Sequence, residues 1–194
     1  MESSNHVTSR VKLLTDSLGI LPKSVTHPAF IVLSGLPGSG KSYFSHQLAE
    51  EIPVVVLESD ALRKILFPEP SYTARESGLL FESIHVLIDK LLGSGRSVVL
   101  DATNLSEDNR EILYRIADHQ AARLVIIYLE APDETIKERL SQRLAEPDNL
   151  SDADWTVYRR MVASVEKIKR RHYVVNTAQD ISPAIDKIAD EVVQ

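Results

Sequence analysis

Gly35-Leu36-Pro37-Gly38-Ser39-Gly40-Lys41-Ser42 meets the phosphate-binding pattern G-x-x-x-x-G-K-[ST] at every fixed position. Its flanks have the order that such a loop needs. Phe30-Ile31-Val32-Leu33 before it is a continuous apolar run with two β-branched residues, which predicts a buried strand. After it, residues 43–51 predict a helix, with apolar side chains at 44, 48, 49 and 52. Between strand and helix, glycines let the main chain turn its N–H groups inward into an anion nest. The helix N-terminus adds its own unpaired N–H groups and the positive end of its dipole. Lys41 is then placed to reach the outer phosphates, and the Ser42 hydroxyl to hold Mg²⁺. The competing reading is an ordinary glycine-rich turn.

The chain has 194 residues, enough for one domain with a substantial core. Its 43% hydrophobic and 26% charged content is that of a soluble globular protein. Cysteine is absent, which excludes a disulfide framework and a cysteine-based metal site. The six histidines form no metal-ligand spacing such as H-E-x-x-H. No apolar run reaches membrane-spanning length, and residues 1–6 lack the basic and apolar regions of a secretory signal. A cytoplasmic protein with no membrane association is expected. The formal charge of −6 argues against a dedicated nucleic-acid binder unless a local basic patch overrides it.

Outward from the loop, strands and helices alternate. Residues 1–28 form an N-terminal extension with a short helix from Arg10 to Leu18, ended by Gly19 and Pro22; residues 29–194 form the main domain. Within it, Pro53–Leu57 predicts a second strand and Asp60–Phe67 a short helix. A long helix follows from Thr73 to Leu92, then a third strand at Ser97–Leu100 that delivers Asp101. Ser106 caps a helix to about His119, Leu124–Leu129 predicts a fourth strand, and a helix runs from Pro132 to about Ala145. Glu146–Leu150 is a polar loop. Ser151 with Asp154 resembles a capping box, opening a helix to Arg171. Tyr173–Val175 is the fifth strand, and Ile181–Val193 the closing helix. Short apolar runs without alternation suit a parallel sheet covered on both faces, so the expected fold is α/β, a doubly wound five-stranded parallel sheet. Ligands in such sheets bind beyond the carboxyl ends of the strands, where the glycine loop, Asp60, Asp101 and Asn176 all lie.

Three further features bear on the reaction. Asp60 can accept a proton from a hydroxyl aligned with a γ-phosphate, and Arg63, one turn on, can clamp an anion. The competing reading makes Asp60 a helix cap and Arg63 a solvated charge. Asp101, at a buried strand end, can hold the Mg²⁺ water shell beside Ser42; its alternative is a turn residue. Thr103 and Asn104 either donate to a substrate or stabilise the turn. Arg139 and Arg143 stack on one helix face without an acidic residue three or four positions before either, as in a lid supplying arginines to a triphosphate. The alternative there is an exposed basic face. Lys167, Lys169, Arg170 and Arg171 read as cations favoured at a helix C-terminus, and Trp155 as packing.

The glycine loop, Asp60-x-x-Arg63, Gly95-Arg96-Ser97-Val98-Val99-Leu100-Asp101-Ala102-Thr103-Asn104 and Arg139…Arg143 together resemble the P-loop kinases related to polynucleotide 5′-hydroxyl kinase. That group also holds zeta-toxin-like and gluconate-kinase-like enzymes and uncharacterised bacterial ATP-binding proteins. The resemblance spans roughly residues 29–194. It implies a nucleoside-kinase-like P-loop NTPase fold with a small helical lid at about 139–155, and an ATP- and Mg²⁺-dependent kinase. ATP is implied at Gly35, Pro37, Gly38, Ser39, Gly40, Lys41, Ser42, Tyr43 and Thr177, and metal at Ser42 and Asp101. Lys41, Asp60 as general base, Arg63 on the acceptor, and Arg139 and Arg143 of the lid are the implied catalytic set. The acceptor hydroxyl stays open between a small metabolite, favoured by net acidity, and a polynucleotide 5′ end, favoured by Asp60-x-x-Arg63. A nucleotide-binding or hydrolysing protein with no phosphoryl acceptor is the alternative.

Overall fold

The computed structural model describes residues 2–144 and 153–193. Its centre is a five-stranded, all-parallel sheet in the order β2-β3-β1-β4-β5. The strands are β1 (Ala29–Ser34), β2 (Val55–Glu58), β3 (Val98–Asp101), β4 (Arg123–Glu130) and β5 (Tyr173–Asn176). The helices are α1 (Glu2–Ser17), α2 (Lys41–Glu51), α3 (Ser59–Leu66), α4 (Ala74–Gly93), α5 (Glu107–His119), α6 (Asp133–Leu144), α7 (Trp155–Val162) and α8 (Ser182–Val193). The expected α/β doubly wound parallel sheet is therefore the fold.

Strand β1 shows why both faces must be covered. Phe30 and Val32 enter one core cluster, Ile31 and Leu33 the other, and all four are fully buried. Each such side chain contributes on the order of 1.5–3 kcal/mol of burial, so a strand wetted on either face would forfeit several. On the Phe30 face lie Val11 and Leu14 of α1, Leu80, Ile84, Leu87 and Leu91 of α4, and Leu113 of α5. On the Ile31 face lie Phe44 and Leu48 of α2 and Ile185 and Ile188 of α8. The extension before β1 is thus joined to the core: α1 packs on α3 and α4, and Arg10 donates to Ser83 Oγ at 2.9 Å and pairs with Glu82 at 2.7 Å. No helix among the described residues is long and apolar enough to cross a membrane.

Two expectations about the chain after β4 need correction. The helix expected to run from Ser151 to Arg171 covers only Trp155–Val162, and its cap is Asp154, whose Oδ1 accepts from Val157 N at 2.8 Å. Ser151 and the polar loop Glu146–Leu150 lie outside the described residues. Beyond Val162 the chain leaves the helix for tertiary partners. Glu166 N donates to Leu105 O at 3.0 Å, and Ile168 joins Tyr114 and Ile126 in a small core. The basic cluster 167–171 therefore does not sit at a helix C-terminus. It lies along α5, where Arg170 stacks 4.3 Å from the Tyr114 ring centroid and comes within 3.8 Å of both Glu111 and Asp118.

Underneath this segment is Arg110, fully buried. Its Nε and Nη2 donate to Glu107 Oε2 at 3.1 and 2.8 Å, and Nη1 to the carbonyls of Asn104 and Leu105 at 2.8 and 2.7 Å. Nη2 also reaches the carbonyls of Glu166 and Lys167 at 2.9 and 3.3 Å. One guanidinium thus ties the turn after β3 to the segment after α7.

Candidate active site

Parallel pairing sends every strand's carboxyl end to one edge, and the site is assembled there. The loop Gly35–Gly40 joins β1 to α2. Gly35 has φ 151°, and a Cβ there would stand 2.4 Å from Leu129 O and 2.7 Å from Ser39 Oγ, so no side chain fits. Gly40 occupies the N-cap of α2 in the left-handed region and offers no side-chain cap. The first-turn amides of Lys41, Ser42 and Tyr43 are those a helix cannot pair internally, and they form the floor of the nest.

Lys41 is buried, and its Nζ donates to Leu36 O at 3.0 Å. Burial pushes its ammonium below the ordinary value; the Asp101 and Asp60 carboxylates pull it back up, and Arg143 adds to the lowering. Ser42 Oγ donates to Asp101 Oδ2 at 2.6 Å. Burial pushes the Asp101 carboxyl up, opposed by the Lys41 charge and the Ser42 hydroxyl, while Glu58 and Asp60 push it further up. A buried carboxylate converging with a hydroxyl is a hard oxygen donor set, and the bias toward protonation is what an added cation would remove. The two residues therefore fit Mg²⁺.

Pairing of β2 with β3 sets Glu58 directly beside Asp101. Sequence reasoning passed over Glu58, although an acidic residue ending a predicted strand was a readable signal. Asp60 sits in the first turn of α3, where the cap position belongs to Glu58. Its carboxylate has no hydrogen bond or ion pair among the described residues, so the capping reading does not hold. Arg63 is buried, and the solvated-charge reading fails with it. Its Nη1 pairs with Glu76 Oε1 at 2.6 Å, its Nη2 donates to Ser77 Oγ at 3.3 Å, and its guanidinium lies 4.9 Å from the Tyr72 ring centroid. Glu76 is itself held by Ser71, whose amide and hydroxyl both reach Oε2 at 2.7 Å. No sequence pattern announced Glu76, since its partner is thirteen positions away on another helix.

The two lid arginines separate. Arg139 Nη1 donates to Thr177 Oγ1 at 2.8 Å and Gly38 O at 3.3 Å, and its Nη2 donates to Thr177 O at 2.8 Å. Thr177 Oγ1 in turn donates to Ser39 O at 2.9 Å. Arg139 thus locks α6 to the glycine loop and to the turn after β5. Arg143, one turn on, has no hydrogen bond or ion pair among the described residues and faces the site. Of the pair Thr103 and Asn104, the second braces the turn: its Nδ2 donates to Leu33 O at 2.7 Å. Thr103 lines the cavity. Trp155 packs as expected, stacked 4.7 Å from Tyr158, whose hydroxyl donates to Asp133 at 2.7 Å.

Two hollows meet over the glycine loop. The larger, about 730 Å³, holds Lys41, Ser42, Asp101, Glu58, Asp60 and Arg63. The smaller, about 330 Å³, is bounded by Tyr43, Arg139, Arg143 and Thr177. Gly38, Gly40, Ser42 and Arg143 belong to both. The arrangement can hold a polyphosphate over the loop with one end beside an unpaired carboxylate. Among the described residues no cluster of three or more histidine, cysteine or acidic side chains is placed to hold a metal ion.

A family model described as an AAA domain matches residues 30–168. The chain is 32% identical over 118 residues to L-seryl-tRNA(Sec) kinase of Methanococcus maripaludis, an alignment covering 58% of this chain and 45% of that relative. It is 33% identical over 116 residues to cytidylate kinase of Methanococcoides burtonii, covering 58% and 62%. The chain thus spans less than two thirds of either relative's length. Kti12 of Chaetomium thermophilum, solved with ADP-AlF3, superposes with a TM-score of 0.66 at 19% identity over 84% of this chain and 97% of that one, a likeness of fold.

Proposed function

From the premise that the chain belongs to the AAA domain family, matched over residues 30–168, we propose that it is an ATP-dependent kinase that moves the γ-phosphoryl group to a hydroxyl acceptor. The observation that carries this reading is the larger cavity. Lys41, Ser42 and the Asp60 carboxylate, which has no hydrogen bond or ion pair among the described residues, share that one space. The two relatives named as kinases support it.

Lys41 releases its bond to Leu36 O and takes the β- and γ-phosphate oxygens, while the nest amides cradle the remaining phosphates. Ser42 and Asp101 would hold Mg²⁺, which would neutralise phosphate charge when bound. Asp60 accepts the acceptor's hydroxyl proton as that oxygen bonds to the γ-phosphorus, the bridging P–O bond breaks, and ADP departs with the electron pair. Arg143 supplies the lid charge to the phosphoryl group in flight, with Arg139 fixing the helix that carries it. Arg63, braced by Glu76, forms the acceptor-side wall. A small metabolite and a polynucleotide 5′-hydroxyl both remain within this chemistry.

The test is incubation with γ-labelled ATP and Mg²⁺ against a metabolite panel and 5′-hydroxyl DNA and RNA oligomers. Label should pass to one acceptor class and vanish in Lys41→Ala. Turnover in that variant near the unaltered rate would refute the assignment. Acceptor-independent hydrolysis that survives Asp60→Ala would make the protein an ATPase.

A further inference from the structure

The larger cavity extends well beyond its phosphate end. Its lining also takes in Tyr72 before α4, Ser77 and Phe81 on α4, and Val157, Arg160 and Met161 on α7. Val157 and Met161 are one turn apart and so share a face, with Arg160 beside them. Aromatic rings and aliphatic side chains thus line one cavity, a setting for a flat or apolar body.

Two observations concern charge in this cavity. Arg160 has no hydrogen bond or ion pair among the described residues. Arg63, which lines the same cavity and is 7% exposed, uses Nη1 and Nη2 on Glu76 and Ser77, but its buried Nε has no partner among the described residues. A buried N–H left without an acceptor costs on the order of 1–3 kcal/mol, which an acceptor atom in the cavity would recover. The carboxylates of the cavity, Glu58, Asp60 and Asp101, line its phosphate end instead.

Resting on the kinase reading above, we propose that the phosphoryl acceptor is a hydroxyl compound with a flat or apolar body and an anionic group of its own, phosphate or carboxylate, and that Arg160 is the residue selecting for that anion. The body lies among Tyr72, Phe81, Val157 and Met161. Its anion meets Arg160 and the free Nε of Arg63, which leaves its hydroxyl directed to Asp60. A neutral alcohol of the same shape leaves the Arg160 guanidinium and the Arg63 Nε without an acceptor and is rejected.

The experiment is calorimetric titration of the protein loaded with Mg²⁺ and a non-hydrolysable ATP analogue, using phenyl phosphate, benzoate and benzyl alcohol as probes. At least one anion should bind and the neutral alcohol should not; which anion binds separates phosphate from carboxylate. Arg160→Ala should weaken that anion by roughly tenfold or more, the worth of a charge-assisted contact. Arg160→Lys should restore part of it, and affinity for the ATP analogue should stay unchanged in both variants. The proposal is overturned if benzyl alcohol binds as well as the anions, if no probe binds at roughly 10 mM, or if Arg160→Ala binds the anion as the unaltered protein does. Failure of the ATP analogue itself to bind would instead overturn the kinase reading.

Discussion

Replacing Arg110 by alanine tests whether tertiary hydrogen bonding, and not helix propensity, decides the path of the chain after α7. The side chain is 0% exposed and makes six hydrogen bonds, two to Glu107 and four to main-chain carbonyls on two separate segments. Its removal leaves the buried Glu107 carboxylate, whose Oε1 already has no hydrogen-bond partner among the described residues, with Lys169 at 3.9 Å as its remaining ion pair among them. Removing one member of a buried ion pair costs about 3–5 kcal/mol, because the remaining charge is uncompensated. In a domain of this size each kcal/mol lowers the melting temperature by about 2–4 °C, so the drop should be about 6–20 °C. Differential scanning calorimetry reads the shift. Glu107→Gln in the same background should recover part of it, since the orphaned charge is then gone. Exchange of the Glu166 amide, bonded to Leu105 O at 3.0 Å, should also accelerate. A melting temperature within about 2 °C of the unaltered protein would refute the reasoning.

Three further outcomes follow from the geometry. Asp60→Asn should spare ATP affinity and lower transfer by about two to four decades, the usual worth of a positioned base; a collapse of ATP binding in that variant, read by equilibrium dialysis, would make Asp60 structural. Gly35→Ala should cost about 1–3 kcal/mol in urea unfolding, because its Cβ would sit 2.4 Å from Leu129 O, and an unchanged midpoint would contradict that clash. The Ser71 hydroxyl and amide, with Arg63, hold the Glu76 carboxyl down at about 2 from its ordinary 4.5 against the opposing effect of burial. Its contribution to stability is therefore present above pH 4.5 and lost as the pH falls toward 2. Glu76→Gln should flatten the acid limb of the unfolding curve across that window, and a limb as steep as before would place the titration elsewhere.

The sheet and the phosphate loop were legible because their signals are local. Four consecutive buried residues in β1 declare a strand covered on both faces, and the glycines from Gly35 to Gly40 declare a tight turn into the next helix. The Ser106 cap was legible for the same reason: it accepts from the Asn109 amide three residues on. The helix after α6 was misread because Met161, Val165 and Ile168 keep a helical spacing whatever the chain does. Nothing near Glu166 in sequence reveals that Leu105 and Arg110 take its main-chain groups.

What the sequence determined by itself was the strand, glycine loop and helix at the carboxyl end of the sheet, and the lysine and hydroxyl carried there. These residues are consecutive, and short-range geometry binds them together. What only the tertiary structure decided was the division of labour among distant charges. Arg139 turns to Thr177 while Arg143 faces the cavity, Arg63 is paired with Glu76, and Asp60 has no hydrogen bond or ion pair among the described residues. A side chain's sequence sets its charge and reach, but whether that charge is already matched depends on neighbours that the sheet order and helix packing bring from tens of positions away.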